Sequence, residues 1–347
     1  MSVTPVRWHV AVPWLLSATE KWRLTQFVPN DDGALDFQVI PASYKHDRSR
    51  KYTGLREWQD YVRHGNEAWS AARRAQVPSG IITSFPQLPI VVGMHKRLAF
   101  SNMPLVAWTF NLGKTYPGMK RRLSQAALPR VDRFIVHSRG EITAYSEWLD
   151  IPPERFQFVP FETPARTIEL PEDRANPFIV SMGTAQRDYR LLFGVLAQLG
   201  YPTTIVAGAH AVAGLTVPPN VTVRSGLTPQ QCFELSQRAR LNVIPVANQT
   251  TASGQVTLLD AMMFARPAII TSCPASIDYV THGKDALLVR QGDHDDMKAA
   301  VQRLWEDEAL RESLGKAARQ TALQTFSEEV IGRTMGQILR EVGHAHR

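Results

Sequence analysis

The sequence contains little cysteine and no apolar run long enough to cross a membrane. Cys232 and Cys273 are its two cysteines, and they fit neither a disulfide framework nor a metal site. The apolar residues near the start, VPWLL, are too few for a membrane span and lack the small-residue cleavage site of a signal peptide. We therefore expect a cytoplasmic protein, with peripheral contact at the inner face of the membrane left open.

Two kinds of ligand-binding motif are also absent. Gly-x-Gly-x-x-Gly after the first strand is typical of nicotinamide-dependent dehydrogenases, but MGTAQRDY has one glycine where that motif has three. The His, Cys and Asp residues form no cluster with the spacing of metal ligands. The sequence therefore argues against a dehydrogenase, and we expect neither a metal ion nor another cofactor.

Positive charge is concentrated in the first half of the chain. Residues 1–165 contain 21 Lys and Arg against 14 Asp and Glu, whereas the remaining residues contain 18 of each. A basic half can contact nucleic acid, an anionic membrane or a charged substrate, or it can be an ordinary solvated surface. No stacking aromatic residues lie between the basic clusters, so nucleic acid is the least favoured partner.

Short β-branched runs alternate with amphipathic segments along the whole chain. Strands that are apolar throughout and separated by helices indicate parallel sheets covered on both faces. Two such series predict an α/β protein with two Rossmann-like, doubly wound domains that face each other across a cleft. Because residues 161–177 are rich in proline and charge, we place the domains at 1–165 and 166–330. A last helix at 331–347 stays on the second domain or crosses back to the first.

The segment SGQVTLLDAMMFARPAII, residues 253–270, combines polar residues at a helix start with one internal acid. Gly254 permits close approach of a ligand, while free backbone N–H groups and the helix dipole favour an anion. Asp260 lies about two turns inside the helix, where it suits the two hydroxyls of a ribose better than a phosphate. This pattern indicates a nucleoside diphosphate, although an ordinary helix cap and a solvated Asp produce it as well.

A second loop strengthens the nucleotide interpretation. Arg187 follows the strand-like PFIVSMG and precedes a helix, so it reaches the same sheet edge as residues 253–258. An arginine is permanently charged and binds two phosphate oxygens at once. The alternative is a surface ion pair between Arg187 and Asp188, which contributes little.

These motifs, in this order, resemble the GT-B fold glycosyltransferases, specifically the large retaining family 4. RFIVHSRGEITAYSEWLDIPPERFQFVPF is similar to the end of that family's acceptor domain, and residues 253–293 are similar to its donor signature. The resemblance is good over roughly residues 130–330 and loose before them.

The resemblance implies roles for individual residues of the second domain. Asp260 takes the place of the ribose ligand and Arg187 that of the basic residue that neutralises the diphosphate. The diphosphate would also meet Gly183, Thr184 and the donor-loop residues Ser253, Gly254, Gln255, Val256, Thr257 and Leu258. The base would pair with the backbone of Gly226 and Leu227. Ala252 stands where the family's first glutamate touches the donor sugar, so the sugar is not specified.

The resemblance implies transfer of a hexose from a UDP- or GDP-sugar to a saccharide or lipid-linked acceptor, with retention of configuration and without a metal ion. Arg187, Asn111 and His137 are the expected catalytic residues, the last two at the ends of strand-like runs in the first domain. Lys114 would meet an acidic acceptor. His95, Lys96 and Arg97 lie on an amphipathic segment that we expect at the acceptor or membrane face.

Two other functions fit the same two-domain architecture. A sugar-nucleotide epimerase would need acid and base carboxylates, and no convincing pair is apparent in the sequence. A non-catalytic protein with two lobes could bind a sugar nucleotide without a reaction, but the usual periplasmic kind carries an export signal.

Overall fold

The protein consists of two compact α/β units. The computed structural model describes residues 5–44, 54–112, 115, 117–247 and 253–346. One unit combines Met1–Pro160 with Glu328–Arg347, and the other is Phe161–Ser327. Each unit contains one six-stranded sheet whose strand pairs are parallel. The predicted α/β class with two Rossmann-like domains is confirmed.

The strands are short and mostly apolar, as buried parallel strands are. In the first unit they are β1 Val6–Ala11, β2 Leu35–Val39, β3 Ser79–Ser84, β4 Leu105–Trp108, β5 Arg133–Val136 and β6 Phe156–Phe158. In the second unit they are β7 Ile179–Met182, β8 Thr203–Val206, β9 Val221–Arg224, β10 Leu241–Ile244, β11 Ala268–Thr271 and β12 Leu287–Val289.

Helices connect the strands within each unit. The first unit contains α1 Leu55–Arg74, α2 Gln87–Leu98, α3 Met119–Ala127, α4 Arg139–Leu149 and, from the end of the chain, α10 Glu328–His344. The second unit contains α5 Tyr189–Leu199, α6 Pro229–Arg238, α7 Gln255–Met263, α8 His294–Glu306 and α9 Glu308–Thr325.

The order of strands fixes where each sheet opens. The first sheet runs β2-β1-β3-β4-β5-β6, so its winding direction reverses between β1 and β3. The second runs β12-β11-β10-β7-β8-β9 and reverses between β7 and β10. At such a reversal the two neighbouring strands send their loops to opposite sides, which leaves a crevice at their carboxyl ends. Each unit therefore has one crevice in which a ligand can bind.

Helix α10 belongs to the first unit, which answers the question that the sequence leaves open. Its apolar residues join the core around β1, where Ile338 and Leu339 are buried with Trp8. Gly332 lies so close to Phe27 that a Cβ atom there would be 2.6 Å from the Phe27 carbonyl oxygen. Arg23 pairs with the buried carboxylate of Glu328 at 2.7 Å.

Two buried histidines lie in the first unit. His9, in β1, is 1% exposed, and its ring nitrogens have no hydrogen-bond partner among the described residues. His137, after β5, is 0% exposed and donates from Nδ1 to the Val159 carbonyl at 2.7 Å. Burial lowers the pKa of each to about 4, so both rings are neutral at pH 7.

We expect Gly332→Ala to destabilise the first unit by about 1 kcal/mol or more, because overpacking against a backbone oxygen outweighs the helix propensity gained. The free energy of unfolding in urea measures this effect. Gly343→Ala in the same helix is the matched control, since its nearest neighbour would be 3.5 Å away, at Val6. A Gly332→Ala protein as stable as the control would contradict the packing of α10.

Acid should destabilise the first unit before its carboxylates protonate. At pH values between 4 and 6.5, a histidine whose folded pKa lies near 4 is protonated in the unfolded chain but neutral in the folded protein. The free energy of unfolding therefore falls as pH drops through that window. Each ring contributes up to about 1.4 kcal/mol per pH unit. We expect His9→Leu to reduce the pH slope of the unfolding free energy by about that amount. A slope in His9→Leu equal to that of the wild type would refute the assignment.

Candidate functional site

The crevice of the second unit lies between the loop after β7 and the loop after β10. The first loop contains Gly183 to Asp188, and the second leads into α7 at Gly254. The two loops are joined by backbone hydrogen bonds: Asp188 donates to the Pro245 carbonyl and Ala247 donates to the Gln186 carbonyl. Residues 248–252 lie outside the described part of the chain.

The loop after β7 is shaped to hold Arg187 in the crevice. Gly183 has a φ of 119°, which favours glycine, and a Cβ atom there would be 2.5 Å from the Arg187 guanidinium. Gln186 also has a positive φ, of 56°. The Tyr189 hydroxyl donates to the Gly183 carbonyl at 2.6 Å and ties the loop to α5. A side chain at position 183 would therefore displace the arginine.

Arg187 is held by neutral oxygen atoms. Nε donates to the Met182 carbonyl at 3.1 Å, and Nη1 donates to the Ala185 carbonyl at 2.9 Å and to Ser253 Oγ at 3.3 Å. Nη2 is 3.5 Å from Thr257 Oγ1. No carboxylate of the described residues forms an ion pair with it. Burial lowers the pKa of Arg187, yet an arginine stays charged at neutral pH.

The expected alternative partner of Arg187 is engaged elsewhere. Asp188 Oδ1 accepts a hydrogen bond from the Leu191 backbone N–H at 3.0 Å and caps α5. The Arg187–Asp188 surface pair considered from the sequence is thus not formed. The positive charge of Arg187 therefore has no compensating carboxylate among the residues that the structure describes. Such an arrangement is suited to an anionic ligand.

Helix α7 begins beside Arg187 without a side-chain cap. Its N-cap is Gly254, in the left-handed region at φ 91°, and Ser253 and Thr257 contact the guanidinium instead. Gln255 is buried, and its Nε2 has no hydrogen-bond partner among the described residues. Free amides, the positive end of the helix dipole and Arg187 thus converge on one place. Val256 is exposed at this end and Leu258 is fully buried beneath it.

One turn further along α7, Asp260 pairs with a residue that sequence reasoning missed. Arg166 Nε lies 3.0 Å from Asp260 Oδ1, and the guanidinium carbon lies 3.8 Å from the centre of the Phe233 ring. Burial raises the pKa of Asp260, and the charge of Arg166 and its hydrogen bond oppose that shift. No sequence pattern joins Arg166 in the domain linker to an acid 94 positions later.

A cavity of about 360 Å³ opens beside this ion pair. It lies within the second unit, and its wall includes both polar and apolar side chains. Cys232 is part of the wall, and burial raises the pKa of its thiol, so it is protonated at neutral pH. The lining includes Asp260, Arg166, Phe233, Pro229, Thr257 and Val256.

The other residues predicted for the second unit are more dispersed. The Thr184 hydroxyl oxygen accepts a hydrogen bond from the Gly208 backbone at 2.9 Å, at the end of β8. Gly226, with φ 69°, and Leu227 follow the edge strand β9, and neither lines the cavity beside Asp260. Their contact with a base stays a prediction.

The catalytic residues predicted in the first unit have different surroundings. Asn111 is half-buried and lies three residues beyond β4, at the carboxyl edge of the first sheet. Lys114 lies outside the described residues. Because His137 is fully buried and hydrogen-bonded to Val159, its ring cannot touch a reactant in this conformation. Its catalytic role stays a prediction that this position does not favour.

Lys96 does not lie on the acceptor or membrane face that we expect on α2. Its side chain is buried, with the residue 3% exposed, and Nζ donates to Asp132 Oδ2 at 2.6 Å. His95 is half-buried, stacked on Trp69 and bonded to Asn66 Oδ1 at 2.6 Å. Arg97 is exposed, and its Nη1 donates to the Ala126 carbonyl. Helix α2 therefore packs into the first unit, and only its last residues face solvent.

Metal independence stays a prediction. No group of three His, Cys, Asp or Glu side chains in the described residues is placed to hold a metal ion. The sequence does contain one Asp-x-Asp, Asp293 to Asp295, at the start of α8. Asp293 accepts from the Asp296 backbone N–H and pairs with Arg290, so it acts as a helix cap.

No described helix is long and apolar enough to span a membrane.

Comparison with known proteins identifies part of the second unit. Residues 199–307 match the family described as Glycosyl transferases group 1. The capsular polysaccharide biosynthesis glycosyltransferase CapM of Staphylococcus aureus is 27% identical over 117 residues. This match covers 34% of the chain and 30% of CapM, so the chain spans less than a third of that relative's length.

Solved structures match nearly the whole chain. Sucrose-phosphate synthase from Thermosynechococcus elongatus has a TM-score of 0.72 at 17% identity, covering 98% of this chain and 100% of that one. Anabaena HepE in complex with UDP and glucose has a TM-score of 0.67 at 13% identity, covering 97% and 100%. The predicted resemblance is confirmed: the chain has the GT-B glycosyltransferase fold, and its residues 199–307 are similar to the group 1 glycosyl transferases.

Proposed function

We propose that the protein is a glycosyltransferase of polysaccharide or glycan assembly. It would transfer a hexose from a nucleoside-diphosphate sugar to a saccharide or lipid-linked acceptor, with retention and without a metal ion. The observation that carries this proposal is the Arg187 guanidinium, which lies against the uncapped start of α7 and has no carboxylate partner among the described residues. A diphosphate supplies the negative charge that this arrangement lacks.

Arg187 and the α7 amides would act on the leaving group. As the bond between the sugar and the diphosphate breaks, negative charge grows on the bridging and terminal phosphate oxygens. The guanidinium and the N–H groups of residues 255–257 are already oriented, so they stabilise this charge without reorganisation. One such donor is typically worth about 10²–10³ in rate.

Asp260 and the cavity beside it would hold the nucleoside. Asp260 Oδ1 accepts from Arg166, which leaves the second oxygen, Oδ2, to accept from ribose hydroxyls. Arg166 is fixed on the Phe233 ring, so it orients the carboxylate rather than competing for the phosphate. The cavity of about 360 Å³ gives the ribose space within the second unit.

The comparisons favour particular substrates. The solved HepE structure contains UDP and glucose, which supports UDP over GDP as the donor nucleotide. CapM is named for capsular polysaccharide biosynthesis, which supports a saccharide acceptor. Contact with an anionic membrane would fall to exposed residues at the end of α2 and on α3, including Leu98, Phe100 and Met119.

We expect Arg187→Ala to slow sugar transfer at least about tenfold and to weaken binding of both UDP and inorganic pyrophosphate, because one charge-assisted contact is lost. Calorimetry in EDTA measures the two affinities. Arg190→Ala is the matched control, since Arg190 is an exposed arginine three residues further on, in the first turn of α5. Arg187→Lys should recover part of the affinity. Unchanged affinity for both ligands in Arg187→Ala would refute the diphosphate site.

Asp260→Ala should separate the nucleoside from the phosphate. We expect UDP affinity to fall about tenfold while pyrophosphate affinity is retained, because only the ribose contact is removed. Since burial raises the pKa of Asp260, wild-type UDP affinity should also decline on acidification sooner than an ordinary carboxylate predicts. Loss of affinity for both ligands, or for neither, would contradict the ribose assignment.

A further inference from the structure

The segment that follows β4 carries Asn111, and both neighbours of that residue are held in place. Phe110 is fully buried, with its ring centroid 4.9 Å from that of Phe134 and 5.7 Å from that of Tyr145. On the other side, the Leu112 backbone N–H donates to the Tyr145 hydroxyl oxygen at 3.1 Å. The backbone of Asn111 is therefore fixed from both directions.

The Tyr145 hydroxyl belongs to a buried polar network at the carboxyl edge of the first sheet. It donates to Glu141 Oε1 at 2.9 Å, and Glu141 Oε2 accepts from the His137 backbone N–H at 3.2 Å. The His137 ring continues the network to the Val159 carbonyl. Tyr145, Glu141 and His137 are each at most 1% exposed. The network thus joins the segment after β4 to the residues that follow β5 and β6.

A tyrosine suits this position because its hydroxyl donates and accepts at the same time. Burial and the charge of Glu141 raise the pKa of Tyr145 well above its usual value, so the hydroxyl keeps its proton at neutral pH. A phenylalanine at this position would fill the same space and make neither hydrogen bond. The two bonds can therefore be removed without removing the ring that packs on Phe110.

Backbone strain marks the same segment. Thr109, between β4 and Phe110, has a φ of 56°, a left-handed conformation that a β-branched residue rarely adopts. Its carbonyl accepts from the Phe85 backbone N–H at 3.3 Å. Strained residues of this kind persist only where their surroundings hold them, and they cluster at functional sites. The conformation that leads into Asn111 is thus held at a cost, as expected for a functional segment.

We infer that Tyr145 is a positioning residue for Asn111, an inference that rests on the proposed sugar transfer and on the expected role of Asn111 in it. The Tyr145 hydroxyl holds the Leu112 N–H, and with it the direction in which the Asn111 side chain leaves the backbone. Displacement of a reacting group by about 1 Å can cost about 10²-fold in rate. In this arrangement His137 supports Glu141 and does not meet a reactant, which accounts for its complete burial.

A double-mutant cycle on the full chain tests this assignment. The measured reaction is release of UDP from UDP-glucose, with GDP-mannose as the alternative donor. We expect Tyr145→Phe and Asn111→Ala each to lower kcat about tenfold and to leave KM for the donor unchanged. Because Tyr145 acts through Asn111, Tyr145→Phe should cause no further loss once Asn111 is replaced by alanine. Losses that multiply in the double variant, or full activity in Asn111→Ala, would overturn the inference.

Ser146→Ala is the matched control. Ser146 Oγ also donates a hydrogen bond from α4, to the Ile151 carbonyl at 2.7 Å, and this bond does not involve residues 109–112. Both Ser146→Ala and Tyr145→Phe should unfold at lower urea concentration than the wild type, whereas only Tyr145→Phe should lower kcat.

Hydrogen exchange of the Leu112 amide measures the geometry without a substrate. We expect exchange about tenfold faster in Tyr145→Phe than in the wild type, and no change in Ser146→Ala, because only the first variant removes the acceptor of this N–H. Equal exchange rates in the two variants would overturn the inference.

UDP affinity separates this inference from the proposed function. All variants should bind UDP as the wild type does, because the diphosphate site lies in the second unit. A wild type that neither binds UDP nor turns over either donor contradicts the proposed function, whatever the exchange at Leu112. A wild type that does both, with full turnover in Tyr145→Phe, contradicts only the inference.

Glu141→Gln replaces Tyr145→Phe in the cycle if Tyr145→Phe does not fold. The glutamine keeps an oxygen acceptor for the Tyr145 hydroxyl but removes the charge. We expect a smaller loss of kcat that is again absent when Asn111 is alanine, and a loss of equal size in both backgrounds would overturn the inference.

Discussion

The contact between the Arg187 guanidinium and the start of α7 is the interaction on which the functional account depends. It brings a positive side chain to the positive end of a helix, an arrangement that is unfavourable in the absence of an anion. The protein holds it in place with neutral oxygens of Met182, Ala185 and Ser253 and with the absence of a side chain at Gly183. Asp188, the nearest acid in sequence, is occupied as the cap of α5. Such an arrangement is explained by a ligand that carries negative charge.

The strand order determines where this contact forms. In a sheet wound β9-β8-β7-β10-β11-β12, the loops after β7 and β10 diverge at one edge, so Arg187 and α7 meet although 66 positions separate Arg187 from Ser253. The same rule applied to the first sheet gives the β1/β3 crevice, where aromatic rings replace charge. The chemistry of each crevice follows from the few residues that end its strands. The two units thus share a construction and differ in the residues that line their crevices.

The sequence predicts the fold well because buried parallel strands are apolar throughout and easy to recognise between amphipathic helices. It also predicts the meeting of Arg187 with Ser253 and Thr257, because both loops follow strands and therefore lie at the carboxyl edge. It fails for Arg166, whose contact with Asp260 depends on how the linker crosses α7 and leaves no periodic signal. For Lys96 a signal existed: it continues the spacing of Leu88 and Val92, which is the buried face of α2. A lysine is normally exposed, so its charge favours a surface position over the buried one that the spacing indicates. The ion pair with Asp132 explains why Lys96 is buried.

A crystal structure of the protein with UDP tests the central claim most directly. We expect pyrophosphate oxygens at about 2.7–3.0 Å from the Arg187 guanidinium nitrogens and from backbone N–H groups at the start of α7, with the ribose at Asp260. A pyrophosphate bound elsewhere, with Arg187 still bonded only to Met182, Ala185 and Ser253, would contradict it.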